Sequence, residues 1–201
     1  MHAEFLATNS PSGRSTWANK PSASSMSGRL WLMTDIGNGA LCISNGTRWS
    51  LMSVIPFYNT GSSTTVVNNT TVETQVASFT LPGGLLGPNG YMRLLTMFSH
   101  TNSANSKTLR IKLNGTTNIV HAIGGSGSAA QYGSFTIRNC GSESSQKGTQ
   151  GAHGVGTSSA AIGTSSINTA SDVTVTITMQ LGALAETSTL EHFLVEVGSG
   201  V

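Results

Sequence analysis

Val173-Thr174-Val175-Thr176-Ile177-Thr178-Met179-Gln180-Leu181 alternates apolar and polar side chains without a break. Successive strand residues point to opposite faces, so Val173, Val175, Ile177, Met179 and Leu181 share one face. Burying those five side chains is worth roughly 7–15 kcal/mol gross, at about 1.5–3 kcal/mol each. The other face carries Thr174, Thr176, Thr178 and Gln180, all uncharged hydrogen-bonding groups. A strand face that only meets water usually shows Lys or Glu. The three threonines are therefore candidate contacts with a second copy of the chain, alongside the simpler reading of a solvent face in a Thr-rich sandwich.

Composition supports a β-rich, turn-rich protein. Of 201 residues only 9% are charged, against a typical ~25%, and Gly, Ser, Thr and Asn take their place. Disordered chains also lack large apolar groups, but they lack strand periodicity too. The formal net charge is +2, with no basic cluster to track phosphates, so nucleic-acid binding is not expected. No apolar run is long enough to span a membrane. The segment Met1–Ala7 lacks a basic leader and an apolar core, which predicts synthesis and folding in a cytoplasm. Cys42 and Cys140 lie far apart and are expected as two buried free thiols.

The chain divides by its punctuation. Residues 1–27 contain Pro11, Gly13, Pro21 and a serine-rich run, and read as an extended arm whose large apolar groups are Phe5, Leu6 and Trp17. Residues 28–55 read as a three-stranded meander, with Asn45-Gly46 as a type I′ hairpin turn. Such a short piece must lean on a larger domain or on neighbouring subunits. Residues 56–71 read as a linker. From residue 72 onward, strands recur between turn signals: Val72 to Leu81, Tyr91 to His100, Leu109 to Leu113, Thr116 to Ala122, Phe135 to Arg138, Val173 to Leu181 and Leu190 to Val197. About seven strands without a helix beyond one turn at Leu181–Glu186 predict an all-β fold. The expected architecture is an antiparallel, jelly-roll-like β-sandwich over residues 72–201. Residues 123–170 are poor in large side chains and read as exposed loop surface around one short strand.

No catalytic constellation emerges. Asp35 and Asp172 sit at strand ends in turn chemistry, and the six glutamates are scattered. His2, His100, His121, His153 and His192 show no metal-ligand spacing, so neither a metal nor another cofactor is expected. The Gly-rich segments precede no helix that could hold a phosphate, and no Gly-x-Ser-x-Gly elbow occurs. An enzyme is not expected.

Three stretches carry a family resemblance: Ser15-Thr16-Trp17-Ala18-Asn19-Lys20-Pro21, then Gly28 to Gly37 with Thr34-Asp35-Ile36-Gly37, then Ser44-Asn45-Gly46-Thr47-Arg48-Trp49. Together they resemble a module found in structural proteins of tailed bacteriophages. The later blocks Glu73 to Pro82, Gly87 to Gly90 and Thr101 to Arg110 are similar to the C-terminal β-sandwich domains of such proteins. The resemblance implies a homotrimeric virion surface protein, a head or tail fibre or a capsid decoration protein, made in the host bacterial cytoplasm. It implies docking on other virion proteins (capsid, portal or tail) through the arm, with Phe5, Leu6 and Trp17 as contacts. The rival expectation is a receptor-binding module that holds host surface glycan through the 123–170 loops, where Tyr132 and His153 are the candidate residues.

Overall fold

Strict alternation needs a partner on each side, and the stretch 173–181 has both. The computed structural model describes residues 13–60, 65–123, 129–149 and 162–200. Among them, fifteen strands follow one another: β1 (Arg14–Ser15), β2 (Leu30–Met33), β3 (Ala40–Ser44), β4 (Trp49–Leu51), β5 (Ile55–Thr60), β6 (Thr65–Asn68), β7 (Thr74–Leu81), β8 (Tyr91–His100), β9 (Lys107–Leu113), β10 (Thr116–Ile123), β11 (Ala130–Asn139), β12 (Gln146–Thr149), β13 (Ile162–Ser165), β14 (Val173–Leu181) and β15 (Thr187–Gly198). A short 3-10 turn covers Ser24–Met26, and no α-helix forms among the described residues.

Two antiparallel sheets make the sandwich. One has the order β10-β9-β14-β7; the other runs β13-β12-β11-β8-β15-β5, with β6 also paired to β15. The apolar face of β14 turns inward, and its five side chains are at most 1% exposed. Leu109, Ile111 and Leu113 of β9 and Val76, Phe79 and Leu81 of β7 continue that layer. Met92, Leu94, Phe98, Phe135, Ile137, Phe193 and Val195 supply the opposite one. The two layers meet between Phe79 and Phe193, 6.4 Å apart, with Tyr58 stacked on both at 5.8 and 5.2 Å. On the other flank, Asn118 of β10 donates from Nδ2 to Ser165 Oγ of β13 at 3.0 Å.

A third sheet, β1-β2-β3-β4, caps one end of the sandwich. Its inner face carries Met33, Cys42, Trp49 and Leu51, which belong to the same buried cluster as Leu85 and Leu86 of the β7–β8 turn. Three further groups of turns converge at this pole. Asn139 donates from Nδ2 to Gly87 O at 2.7 Å and to Thr169 Oγ1 at 2.8 Å, while Gln146 Nε2 donates to Asn139 Oδ1 at 2.9 Å. Gly200 N–H donates to Leu86 O at 2.8 Å, so the last described residues are stitched into the same turns. A Cβ on Gly90 would stand 2.1 Å from Leu86 O, which leaves no room for another residue there.

Several sequence expectations are corrected. Residues 13–27 are docked, not extended away: β1 pairs in parallel with β2, and Trp17 is buried. Residues 56–71 are not a linker, because β5 and β6 both pair with β15. The 123–170 stretch holds β12 and β13, and its expected short strand is the ten-residue β11. Residues 182–186 form turns, not helix. Cys42 is buried as expected, but Cys140 is exposed. A type I′ turn needs positive φ at both central residues; Asn114 (47°) and Gly115 (81°) meet that condition. Asn45 does not, because its Oδ1 accepts the Thr47 and Arg48 amides at 2.9 Å each and opens a longer loop.

The core and surface of β14 separate cleanly in a mutational test. Ile177→Ala, at a fully buried site, is expected to lower unfolding stability in urea by about 2–5 kcal/mol, and Thr174→Ala, at an exposed one, by no more than about 0.5 kcal/mol.

Candidate functional site

A cleft of about 370 Å³ opens where the small sheet meets the sandwich. Its walls come from five separate segments: residues 17–23, residues 47–49, Gly83-Gly84, Glu143 and Ala170. Two indoles set the first wall. Asp35 Oδ1 accepts the Trp17 amide at 2.7 Å, and the Trp17 ring then donates from Nε1 to Gly83 O at 2.9 Å. Trp49 Nε1 donates to Pro21 O at 2.8 Å. Each tryptophan thus spends its one polar hydrogen on holding residues 17–23 against a neighbouring element.

Lys20 closes that wall. Its ammonium lies 4.2 Å from the Trp17 ring centroid and donates to Trp17 O at 2.9 Å. Burial pulls the Lys20 pKa below the ordinary lysine value, against the opposing pull of Asp35, Cys42 and Asp172. Burial likewise pushes the Cys42 thiol up to about 12, so it stays protonated and inert. Across the cleft the Arg48 guanidinium forks onto Glu143, with Nη1–Oε1 at 3.3 Å and Nη2–Oε2 at 3.4 Å. The lining mixes an ammonium, an ion-paired guanidinium and carboxylate, the Thr47 and Ser22 hydroxyls and two largely buried indoles. It places no nucleophile beside a base, and no group of three or more His, Cys, Asp or Glu among the described residues could hold a metal.

The sequence-derived candidates do not gather here, apart from Trp17. Its side chain is 5% exposed and committed to Gly83, which makes it a contact within the chain. Phe5, Leu6 and His153 lie outside the described residues. Of the threonines, Thr174 is exposed, Thr176 half-buried and Thr178 buried. Their face is not uncharged. Thr176 stands opposite Lys112 and Thr178 opposite Arg110, and both cations converge on Glu73, at 2.6 Å from Lys112 and 3.5 Å from Arg110. Thr178 Oγ1 donates to the same carboxylate at 2.6 Å. Burial works to raise the Glu73 pKa, but the hydrogen bonds of Lys112 and Thr178 and the two positive charges outweigh it and hold it below the usual carboxylate value.

Tyr132 is 61% exposed, yet it stands on strand β11 and not in a loop. It pairs across the outer face of the larger sheet with Met97, which is 45% exposed and in turn faces His192. Of the cleft residues, Lys20 and Arg48 lie within the quoted stretches Ser15–Pro21 and Ser44–Trp49, whereas Glu143 carries no motif, and only the fold brings it to them.

The joint between small sheet and sandwich rests on the indole more than on the ion pair. Trp17→Phe is expected to cost about 1–3 kcal/mol through the lost bond to Gly83 and the unpaired carbonyl, against at most about 1 kcal/mol for Arg48→Ala at a half-exposed pair. Calorimetric unfolding of the two variants gives the comparison directly.

No protein-family model and no curated protein matches the chain. Among solved structures, it is similar to dimeric latent PorU from Porphyromonas gingivalis, with 9% identity and a TM-score of 0.35 over 85% of this chain. The chain spans 14% of that protein's length. A likeness at that level carries no argument about function.

Proposed function

We propose that the chain is a non-enzymatic structural component of a bacteriophage virion, a trimeric head fibre, tail fibre or capsid decoration protein. The observation that carries this reading is how the virion-like motif residues come together. Asp35 holds the Trp17 amide, Trp49 holds Pro21, and Asn45 holds the Thr47 and Arg48 amides. The three stretches that resemble the phage module thus form one docked unit on the end of an all-β sandwich: Asp35 of the second and Trp49 of the third both hold the first, and Asn45 shapes the turn within the third. In this reading the particle lies at the small-sheet pole, and the sandwich projects from it. Residues 1–12, with Phe5 and Leu6, remain the docking segment, and Trp17 serves the fold of the module. Partners are copies of the chain itself and other virion proteins, assembled after synthesis in the host bacterial cytoplasm.

The cleft favours one second reading. Glu143 and Ala170 from the 123–170 stretch stand there beside Lys20, Arg48 and the Thr47 and Ser22 hydroxyls, a set of polar groups that suits host surface glycan.

Analytical ultracentrifugation of the full chain is expected to give a trimer, and deletion of residues 2–12 to leave that trimer folded but absent from purified particles. A monomer, or undiminished incorporation of the shortened chain, would overturn the virion reading. Binding of the isolated trimer to host cells, abolished by Glu143→Gln, would move the assignment to the glycan reading.

A further inference from the structure

The pole opposite the small sheet carries a buried ion pair. Lys107 and Glu186 are 2% and 3% exposed, and Lys107 Nζ lies 3.2 Å from Glu186 Oε1. The remaining ammonium hydrogens go to Ser103 Oγ at 3.0 Å and Asn105 O at 3.1 Å. Glu186 Oε1 also accepts from Ser103 Oγ and, at 3.2 Å, from Asn105 Nδ2. One pair of charges therefore fastens the β8–β9 loop, residues 101–106, to the β14–β15 turn, residues 182–186.

His100 stands beneath this fastening. It is 8% exposed, its Nδ1 is 2.9 Å from Ser188 Oγ, and its ring stacks on Phe98 at 5.8 Å. Its Nε2 and Glu186 Oε2 have no hydrogen-bond partner among the described residues. The charged groups that reach His100 are Lys107 from β9 and Glu186 from the turn; the β15 neighbour, Ser188, is neutral. A proton on His100 would place a second positive charge in a dry site beside Lys107, with its Nε2 hydrogen unaccepted.

We propose that this cluster is an acid-operated latch: protonation of His100 frees the 101–106 loop from the 182–186 turn while both sheets stay folded. A chain with only 18 Lys, Arg, Asp and Glu gives two of them to this one buried contact, which replacement by apolar groups would often leave as stable or more so. An apolar plug would hold the tip at every pH; an ion pair beside a histidine does not. The sign follows from the environment. Burial, followed by the charge of Lys107, depresses the His100 pKa to about 4, against the ordinary value near 6.5 that an opened tip restores. The latch is thus fully closed above about pH 6.5. Its opening constant rises by up to tenfold per pH unit as the pH falls toward about 4, where the effect saturates. Glu186 acts in the same direction at lower pH. Burial works to raise its pKa, but the Ser103, Lys107 and Asn105 hydrogen bonds hold it below the usual carboxylate value, so its protonation also costs the closed form.

Backbone amides at the tip report on the latch. Thr101 N–H donates to Thr187 O at 2.9 Å, and Thr187 N–H to Thr101 Oγ1 at 2.9 Å, whereas Ile177 lies deep in β14. Hydrogen exchange followed by NMR on the full chain at pH 7, 6 and 5 is expected to show the protection factors of Thr101 and Thr187 falling about tenfold or more. The Ile177 amide should keep its protection, and His100→Gln should flatten the pH dependence at the tip. Protection at the tip that does not change with pH, that falls in step with Ile177, or that still falls in His100→Gln overturns the latch. If His100→Gln does not fold, the imidazole nitrogen shifts of His100 in the unaltered chain decide. Ordinary titration near pH 6.5 with the tip still protected overturns the proposal; a neutral ring for as long as the tip stays closed supports it.

Discussion

The inward row of β14 is the contact on which the rest of the molecule depends. Val173, Val175, Ile177, Met179 and Leu181 lie at the centre of the smaller sheet, paired to β9 on one side and β7 on the other. They also supply the middle of the surface against which the larger sheet closes. In a chain so poor in charge, ion pairs between strands are few among the described residues, and the apolar row does more to set the register. A one-residue slip of β14 would move its whole apolar row outward, and that penalty defines the pairing of its neighbours. The small sheet depends on the same row at one remove, through Leu85 and Leu86 in the turn that follows β7.

The strand with a strict two-residue period was legible to the residue: β14 begins and ends where its alternation does, and β8 was legible from the Gly87–Gly90 turn that precedes it. β5 and β6 were not, because Pro56 and the Ser- and Thr-rich run after Gly61 look like a linker. Proline is tolerated at an edge strand, and β15 is long enough to pair with both segments in turn. β12 and β13 are short and built of Gly, Thr, Ser, Gln and Lys with a single large apolar residue, so they have no period to detect. β9 carries one further signal. The alternation of Leu109, Ile111 and Leu113, carried back two residues, puts Lys107 on the buried face of β9. A lysine in an apolar row demands a buried partner, and Glu186 is that partner. The cleft was legible only in part: residues 17–21 and 47–49 fall in the quoted stretches, while Gly83, Glu143 and Ala170 come from distant segments with no signal that joins them.

The two poles of the sandwich are held by different chemistry. At the small-sheet pole, Asn139, Gln146 and Thr169 satisfy one another and the backbone of Gly87 with neutral amides and a hydroxyl. None of those groups titrates between pH 3 and 9. At the far pole the turns are joined by Lys107, Glu186 and His100, whose interactions depend on protonation. The amide network around Asn139 is therefore indifferent to acidity and the Lys107–Glu186–His100 cluster is not, although the same two sheets run through both.

Gly13 and Gly200, the two ends of the described chain, both lie at the small-sheet pole. Gly13 O accepts the Leu32 amide beside β1, and Gly200 exchanges bonds with Leu86 and Asn89. A tension applied at either end is met there first, by the β1–β2 pairing and the turns around Leu86. The far tip lies off the line of force. It can loosen without disturbing the β1–β2 pairing or the turns around Leu86, which makes it the part of the described residues where change is mechanically cheapest.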